Sequence, residues 1–286
     1  MSYDPRYDYL NTRGSSSSSG ELINGIAVIT LIFVVIFTCE VIYKSIYDSN
    51  NRFQTLIDYT ASSDDMTITI HQNPNKYADA KPIGLSMNER SGIEFAYSFY
   101  VFVNPKTFDG NANFKHVFHK GYNFAWPLMG PGVFFRGDEN TMRVVMNTYK
   151  NPYLYADIKN MPVQKWVHVV LNCVKGGLDI FVNGNLASRI PFTETLPYQN
   201  FQDVIIFSTT NSNILGQANM PACVGSDVFP LAGAFSGYLS NLKYARYALS
   251  VNEIQALMNA GPSAKKADKV MDKPPYMADD WWANQH

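Results

Sequence analysis

An apolar stretch near the N-terminus, Leu22 to Tyr43, constrains this chain more than any other feature. Within it, the run from Gly25 to Cys39 carries no charged side chain. About 20 such residues in an α-helix, rising ~1.5 Å each, match the ~30 Å hydrocarbon core of a bilayer. A helix packed on a soluble core would alternate with a polar stripe on a 3.6-residue period, and this stretch has none. The expectation is an uncleaved membrane anchor whose lipid contacts include Leu22, Ile26, Ile29, Phe33, Ile36 and Tyr43. A cleaved signal peptide fits less well. The run exceeds the ~7–15 apolar residues of such a segment, and Glu40 to Lys44 stand where a small-x-small cleavage site belongs. Thr30 and Thr38 are tolerable in lipid because their hydroxyls can return to carbonyls of the preceding turn. Arg6 and Arg13 on one side balance Lys44 and Arg52 on the other, so basic residues do not decide the orientation.

Beyond the anchor the chain is polar enough for water. Its 286 residues leave room for one large or two small domains. With 23 Lys and Arg against 24 Asp and Glu, no broad basic field exists to hold nucleic acid, and that class is excluded. Aromatics at 14%, with abundant Val and Ile, point to sheet. Cys39 lies in the apolar run; Cys173 and Cys223 pair only if the fold brings them together, and buried free thiols are the simpler expectation. No Asn begins an Asn-x-Ser/Thr sequon.

The expected organisation is a disordered segment 1–20 containing Ser15–Ser19, a transmembrane helix 21–44, a juxtamembrane helix or stalk 45–65, a β-domain 66–262 and an extended tail 263–286. Period-2 alternation marks the strands. Ile93–Val103 places Phe95, Tyr97, Phe99, Val101 and Val103 on one face. Trp166–Val174 sets Trp166, His168, Val170 and Asn172 on one face, with Val167, Val169, Leu171 and Cys173 on the other. Further strands are expected at Met66–Ile70, His116–His119, Gly132–Phe135, Met142–Asn147, Leu178–Val182, Val204–Phe207 and Phe235–Tyr244. Asn183-Gly184 suits the two φ > 0 positions of a type I′ hairpin turn. Ser250-Val-Asn-Glu253 reads as a capping box opening a helix with Val251, Ile254, Leu257 and Met258 on its apolar stripe, stopped at Gly261-Pro262. Many short strands with Gly, Asn and Pro turns make an antiparallel sandwich or jelly roll.

The runs Lys165-Trp-Val-His-Val-Val-Leu-Asn172 and Leu178-Asp-Ile-Phe-Val-Asn-Gly-Asn185 resemble the central hairpin of laminin-G-like domains of the concanavalin A-like jelly-roll superfamily. Phe235 to Ile254 resembles that family's closing strand and short helix, and the likeness extends over about Pro82–Ser263. A narrower likeness, at Gly92–Phe99, Lys115–Gly121, Gly130–Val133, Arg143–Thr148 and Asp157–Pro162, is to a subgroup from large icosahedral DNA viruses of algae and protists. That resemblance implies a membrane-anchored virion protein joining an internal membrane to capsid components.

Catalysis is not expected. Glycosidases of the superfamily carry Glu-x-Asp-x-x-Glu on a strand, and no such triplet occurs here. Asp138-Glu139 belong to a turn, and neither a Gly-x-Ser-x-Gly elbow nor a phosphate-cradling loop is present. His116 and His119, three apart on a strand, are expected on opposite faces and hence not as zinc ligands. No cofactor is expected, though Asp109, Asn111 and Asn113 offer a candidate calcium loop beside the plainer reading as a turn. Glycan contact, if any, is expected from Trp126, Tyr149, Tyr153 and Tyr155, and docking of a protein partner from Trp281 and Trp282 in the tail. Two functions remain: a structural virion protein, with the lipid bilayer and capsid proteins as partners, and a membrane-displayed lectin-like module.

Overall fold

A computed structural model of the chain describes residues 17–51, 53–86, 93–123, 125, 128–213 and 230–266. The chain divides into two units, residues 1–52 and 53–286. The first contains helix α1, Ser17–Asn51. Residues Ile23–Lys44 within it are long and apolar enough to cross a membrane. β-Branched residues are only mildly unfavourable in a helix, and a segment that satisfies its own backbone suits a medium without water. Thr30 and Thr38 donate to the carbonyls of Ile26 and Val35, each at 2.8 Å. Lys44 reaches back to Glu40 at 3.7 Å. Ser17–Gly20 is helical, contrary to the disorder expected of the serine run, because α1 extends through it.

The second unit is a two-sheet sandwich. Its strands in chain order are β1 Phe53–Thr55, β2 Thr60–Ser62, β3 Ile68–Ile70, β4 Phe95–Val103, β5 Phe114–Lys120, β6 Gly132–Arg136, β7 Thr141–Met146 and β8 Leu154–Lys159. There follow β9 Trp166–Val174, β10 Gly177–Val182, β11 Asn185–Pro191, β12 Val204–Ile206, β13 Asn211–Asn213, β14 Pro230–Ala234 and β15 Gly237–Ala245, then helix α2 Val251–Ala260. Among the described residues, one sheet runs β1-β15-β4-β9-β10-β11 with β2 also on β15. The other runs β13-β14-β5-β6-β7-β8, with β12 joining β5 to β3. Pairing is antiparallel except between β14 and β5. The juxtamembrane helix expected over 45–65 is shorter than that: α1 runs to Asn51 and the sheet starts at Phe53, where β1 pairs with the end of β15.

The core follows from strand alternation. Phe95, Tyr97, Phe99, Val101 and Val103 of β4, with Val167, Val169, Leu171 and Cys173 of β9, face Val133 and Phe135 of β6, Val144 and Met146 of β7, and Ala156 and Ile158 of β8. A one-residue slip would turn each set to the other face, so burial on one side fixes the register. Cys173 is a buried free thiol, and Cys223 lies outside the described residues.

Helix α2 covers the middle of the outer face of the β4–β9 sheet. Ser250 and Glu253 form the expected capping box. Ile254 and Leu257 pack on Ala96, Val170 and Ala245, while Val251 is exposed. The Tyr100 hydroxyl donates between the carbonyls of Leu257 and Met258 (2.8 and 2.6 Å), satisfying groups that a helix end leaves open. Asn183 and Gly184 have φ of 48° and 77°, as the hairpin turn requires.

Candidate functional site

Beyond the C-terminal end of α2, none of the described residues covers the same sheet face. There the pairing Tyr238↔Phe102 and Phe102↔Trp166 sets three aromatic rings in one row across β15, β4 and β9. Phe102 stands edge-on to Trp166 at 5.5 Å and to Tyr238 at 5.8 Å between centroids. With Thr60, Ser62, Asp65 and Lys266 they line an open cavity of about 350 Å³. Tyr238 is 39% exposed. Rings of this kind present large apolar faces, and Trp and Tyr keep a polar edge for hydrogen bonding.

Two local features hold the row in place. At Gly237 a Cβ would lie 2.0 Å from the Phe102 carbonyl oxygen, so only glycine lets β15 close on β4 here. The Gly237 amide donates to Ser63 Oγ at 2.9 Å, and the 263–266 segment lies along β2 through the Thr60–Lys266 bridge. Polar groups thus rim one side of the aromatic floor. Asp65 and Lys266 offer an acceptor and a donor, and Ser62 and Thr60 offer hydroxyls.

Of the residues expected to touch glycan, those that are described lie elsewhere. Tyr153 is buried on the outer face of the other sheet, where Arg143 Nη1 donates to its hydroxyl at 3.0 Å; it cannot stack on a ligand as expected. Burial raises its pKa to about 12 despite that neighbour. Tyr155 is exposed, but the Arg143 guanidinium covers one ring face at 4.0 Å. Arg143 is held by both oxygens of Asp157, at 2.7 and 2.6 Å. Burial opposes its charge, and this fork outweighs it. Tyr149 is exposed at the opposite end of the sandwich from the groove. Trp126, Trp281 and Trp282 lie outside the described residues.

The candidate calcium loop is built as a turn. Asp109 Oδ1 accepts from the Asn111 amide, and Oδ2 pairs with Lys115 Nζ at 2.8 Å. The hydrogen bond from Lys115 leads the effects that lower the Asp109 pKa to about 2. An ammonium thus already occupies the only carboxylate of the triplet, which disfavours a hard cation. No group of three metal-ligating acids, histidines or cysteines occurs among the described residues.

The two histidines correct another expectation. A bulge at Val117 lets His116 pair with Phe134 and Phe118 with Val133, so His116 and His119 share a face. Their rings meet, His116 Nε2 to His119 Nδ1, at 2.7 Å. The Ser208 amide donates to His116 Nδ1, and His119 Nε2 meets the Tyr122 carbonyl. With a donor at one end and an acceptor at the other, every proton has one place only. His116 donates to His119, His119 donates to Tyr122, and both rings are neutral. Burial lowers the His119 pKa to about 4 and that of His116 well below its ordinary value.

The groove escaped sequence reading because its aromatics come from three distant strands. Strand alternation sets Trp166 on the face opposite Val167, Val169, Leu171 and Cys173; what register alone supplies is Phe102 and Tyr238 beside it.

A family model described as the Concanavalin A-like lectin/glucanases superfamily, of laminin-G type, matches residues 86–255, more than half of the chain. No curated protein matches significantly. Among solved structures the chain is similar to the receptor binding domain of botulinum neurotoxin D, at 9% identity and a TM-score of 0.45 over 73% of this chain and 44% of that one. It is similar to the receptor binding domain of the mosaic serotype C/D neurotoxin at 11% identity and 0.46, over 73% and 45%. It is also similar to a Trypanosoma rangeli sialidase bound to 2,3-difluorosialic acid at 13% identity and 0.38, over 59% and 23%. The chain thus spans less than half the length of these proteins, and the family match alone carries the assignment.

Proposed function

Because this chain belongs to the Concanavalin A-like lectin/glucanases superfamily, we propose that it is a membrane-anchored, non-catalytic binding protein whose groove takes carbohydrate. The observation that carries this reading is the aromatic row of Phe102, Trp166 and Tyr238 in an open cavity with a polar rim. A pyranose ring has apolar C–H faces and a hydroxyl edge, and the groove offers both complements. Binding without hydrolysis is supported by the lining. Glycoside hydrolysis uses two carboxyl groups ~5–9.5 Å apart, and Asp65 is the one acid among the described lining residues.

The anchor is supported by the span itself. Its apolar side chains from Ile23 to Tyr43 stand exposed, and leaving each large one in water forgoes ~1.5–3 kcal/mol that a hydrocarbon environment would supply. A glycan array probed with the full chain in lipid nanodiscs tests the binding reading. Wild type gives discrete signals, and Trp166→Ala, on a partly exposed floor, removes them while leaving the fold intact. An empty array for correctly folded wild type would end the proposal.

A second reading is a structural virion protein at an internal membrane–capsid interface, supported by the sequence likeness to domains of large icosahedral DNA viruses. It predicts an empty array and co-fractionation with capsid proteins that falls when Trp281 and Trp282 are deleted.

A further inference from the structure

We propose that the groove selects a glycan carrying a zwitterionic substituent. Its quaternary ammonium sits among Phe102, Trp166 and Tyr238 with Asp65 as countercharge, and its anion meets Lys266. This inference rests on the carbohydrate reading and names the group that the sugar carries. No two of the three rings are parallel. The planes of Phe102 and Trp166 meet at 62°, those of Phe102 and Tyr238 at 63°, and those of Trp166 and Tyr238 at 45°. They make no flat platform, so a pyranose face stacks on one ring at a time and the other rings are left for another group. Their centroids lie 5.5, 5.8 and 6.5 Å apart, a triangle small enough that one cation seated over it falls within the ~6 Å at which ring quadrupoles attract charge.

The charges of the rim answer to both halves of that group. Asp65 and Lys266 line the same cavity, yet neither forms an ion pair with the other or with any other described residue. The adjacent Lys265, by contrast, pairs with Asp58 at 2.7 Å. Backbone bonds set this division. The Thr60 amide donates to the Lys265 carbonyl at 2.7 Å and Thr60 Oγ1 to the Ser263 carbonyl at 2.8 Å, so the 263–266 segment runs extended beside β2. Successive side chains leave an extended segment on opposite sides, which sends Lys265 to Asp58 and Lys266 to the groove. Ser62 sets the other charge. Its carbonyl accepts from the Asp65 amide and its hydroxyl from the Asp64 amide, each at 3.2 Å, a turn that holds Asp65 at the cavity.

A quaternary ammonium suits this lining better than a protonated amine. Aromatic faces attract its charge but accept no ordinary hydrogen bond, so an N–H cation would leave donors unsatisfied there, and a fully methylated one has none to satisfy. The cavity, about 350 Å³, lies at the low end of ligand sites, which run from ~300 to 1,000 Å³. That volume suits one sugar with its substituent rather than a long stretch of polymer. Because Asp65 and Lys266 are exposed, added salt should weaken the charge recognition.

The test uses the full chain in phosphatidylglycerol nanodiscs, which carry no choline. Phosphocholine is the probe, and the readout is the indole N–H resonance of Trp166, assigned by its loss in Trp166→Phe. Phosphocholine should shift that resonance saturably and bind about tenfold more tightly than choline or inorganic phosphate alone. Phosphoethanolamine should bind several-fold more weakly than phosphocholine. Lys266→Gln should reduce phosphocholine to the affinity of choline while leaving choline unchanged, and Asp65→Asn should weaken both. On a glycan array, sugars bearing phosphocholine should outbind their unsubstituted forms. Unsubstituted glycans that shift Trp166 while phosphocholine moves no resonance would overturn the inference and leave the carbohydrate reading standing. Choline binding as tightly as phosphocholine would remove the part given to Lys266 and also overturn it. Phosphocholine binding with an empty array would assign the group to another carrier, with dihexanoylphosphatidylcholine testing for lipid, and would remove both readings.

Discussion

Burial of the neutral His116–His119 pair makes the sandwich less stable in acid. Burial disfavours the charged form of His119 and lowers its pKa in the folded chain from an ordinary 6.5 to about 4. The unfolded chain therefore takes up this proton first. Stability conferred by neutral His119 is complete above 6.5 and declines as pH falls towards 4. At ~1.4 kcal/mol per pH unit below the unfolded value, the loss between pH 7 and pH 5 is about 2 kcal/mol. Geometry supplies the mechanism: a proton on His119 Nδ1 would face the proton that His116 already directs at it. Other groups titrate over the same range, so the measurement compares wild type with His119→Gln by denaturant unfolding of the full chain in detergent at both pH values. The stability difference between the two proteins should fall by about 2 kcal/mol at pH 5. A difference independent of pH would refute both the assigned protonation state and the directed hydrogen-bond chain behind it.

Gly237→Ala should destabilise the sandwich by about 1–3 kcal/mol and weaken glycan binding together, since the new methyl group displaces β15 from β4 beneath the aromatic row; thermal unfolding and the array measure both. Asp157→Ala leaves the Arg143 guanidinium buried without its carboxylate. The cost should be about 2–3 kcal/mol, below the ~3–5 kcal/mol of a fully buried pair because Asp157 is 25% exposed. Calcium and EDTA should leave the melting temperature unchanged, because Lys115 already engages Asp109; a calcium-dependent rise would reinstate the loop as a site.

Sequence and structure agree where one face of a strand is buried and the other is not. In β4 and β9 every second residue meets the opposite sheet, so period-2 alternation carries the facing of both and the bounds of β9, while β4 starts at Phe95, two residues later than the expected Ile93. The same logic does not reach β1 and β2, whose three residues are too few for a period to register. It also misses β11, an edge strand with most positions exposed. The bulge at Val117 was invisible because Val117 and Phe118 are both apolar and both enter the core, whereas a regular strand would have parted His116 from His119. Tyr153 read as a surface tyrosine because it sits in a turn-rich stretch; its burial depends on Arg143 and Phe114 of other strands packing around it. The groove is a product of register and loop bracing, which local sequence does not encode.

The most direct test of a carbohydrate-binding groove is a two-dimensional NMR spectrum of the indole N–H groups in the nanodisc-held chain. Four tryptophans are present, and Trp166→Phe identifies the resonance of Trp166. Adding a glycan selected from the array should shift the Trp166 resonance saturably and leave the other three in place. A saturable shift confined to another tryptophan, or binding that moves none of them, would contradict the account.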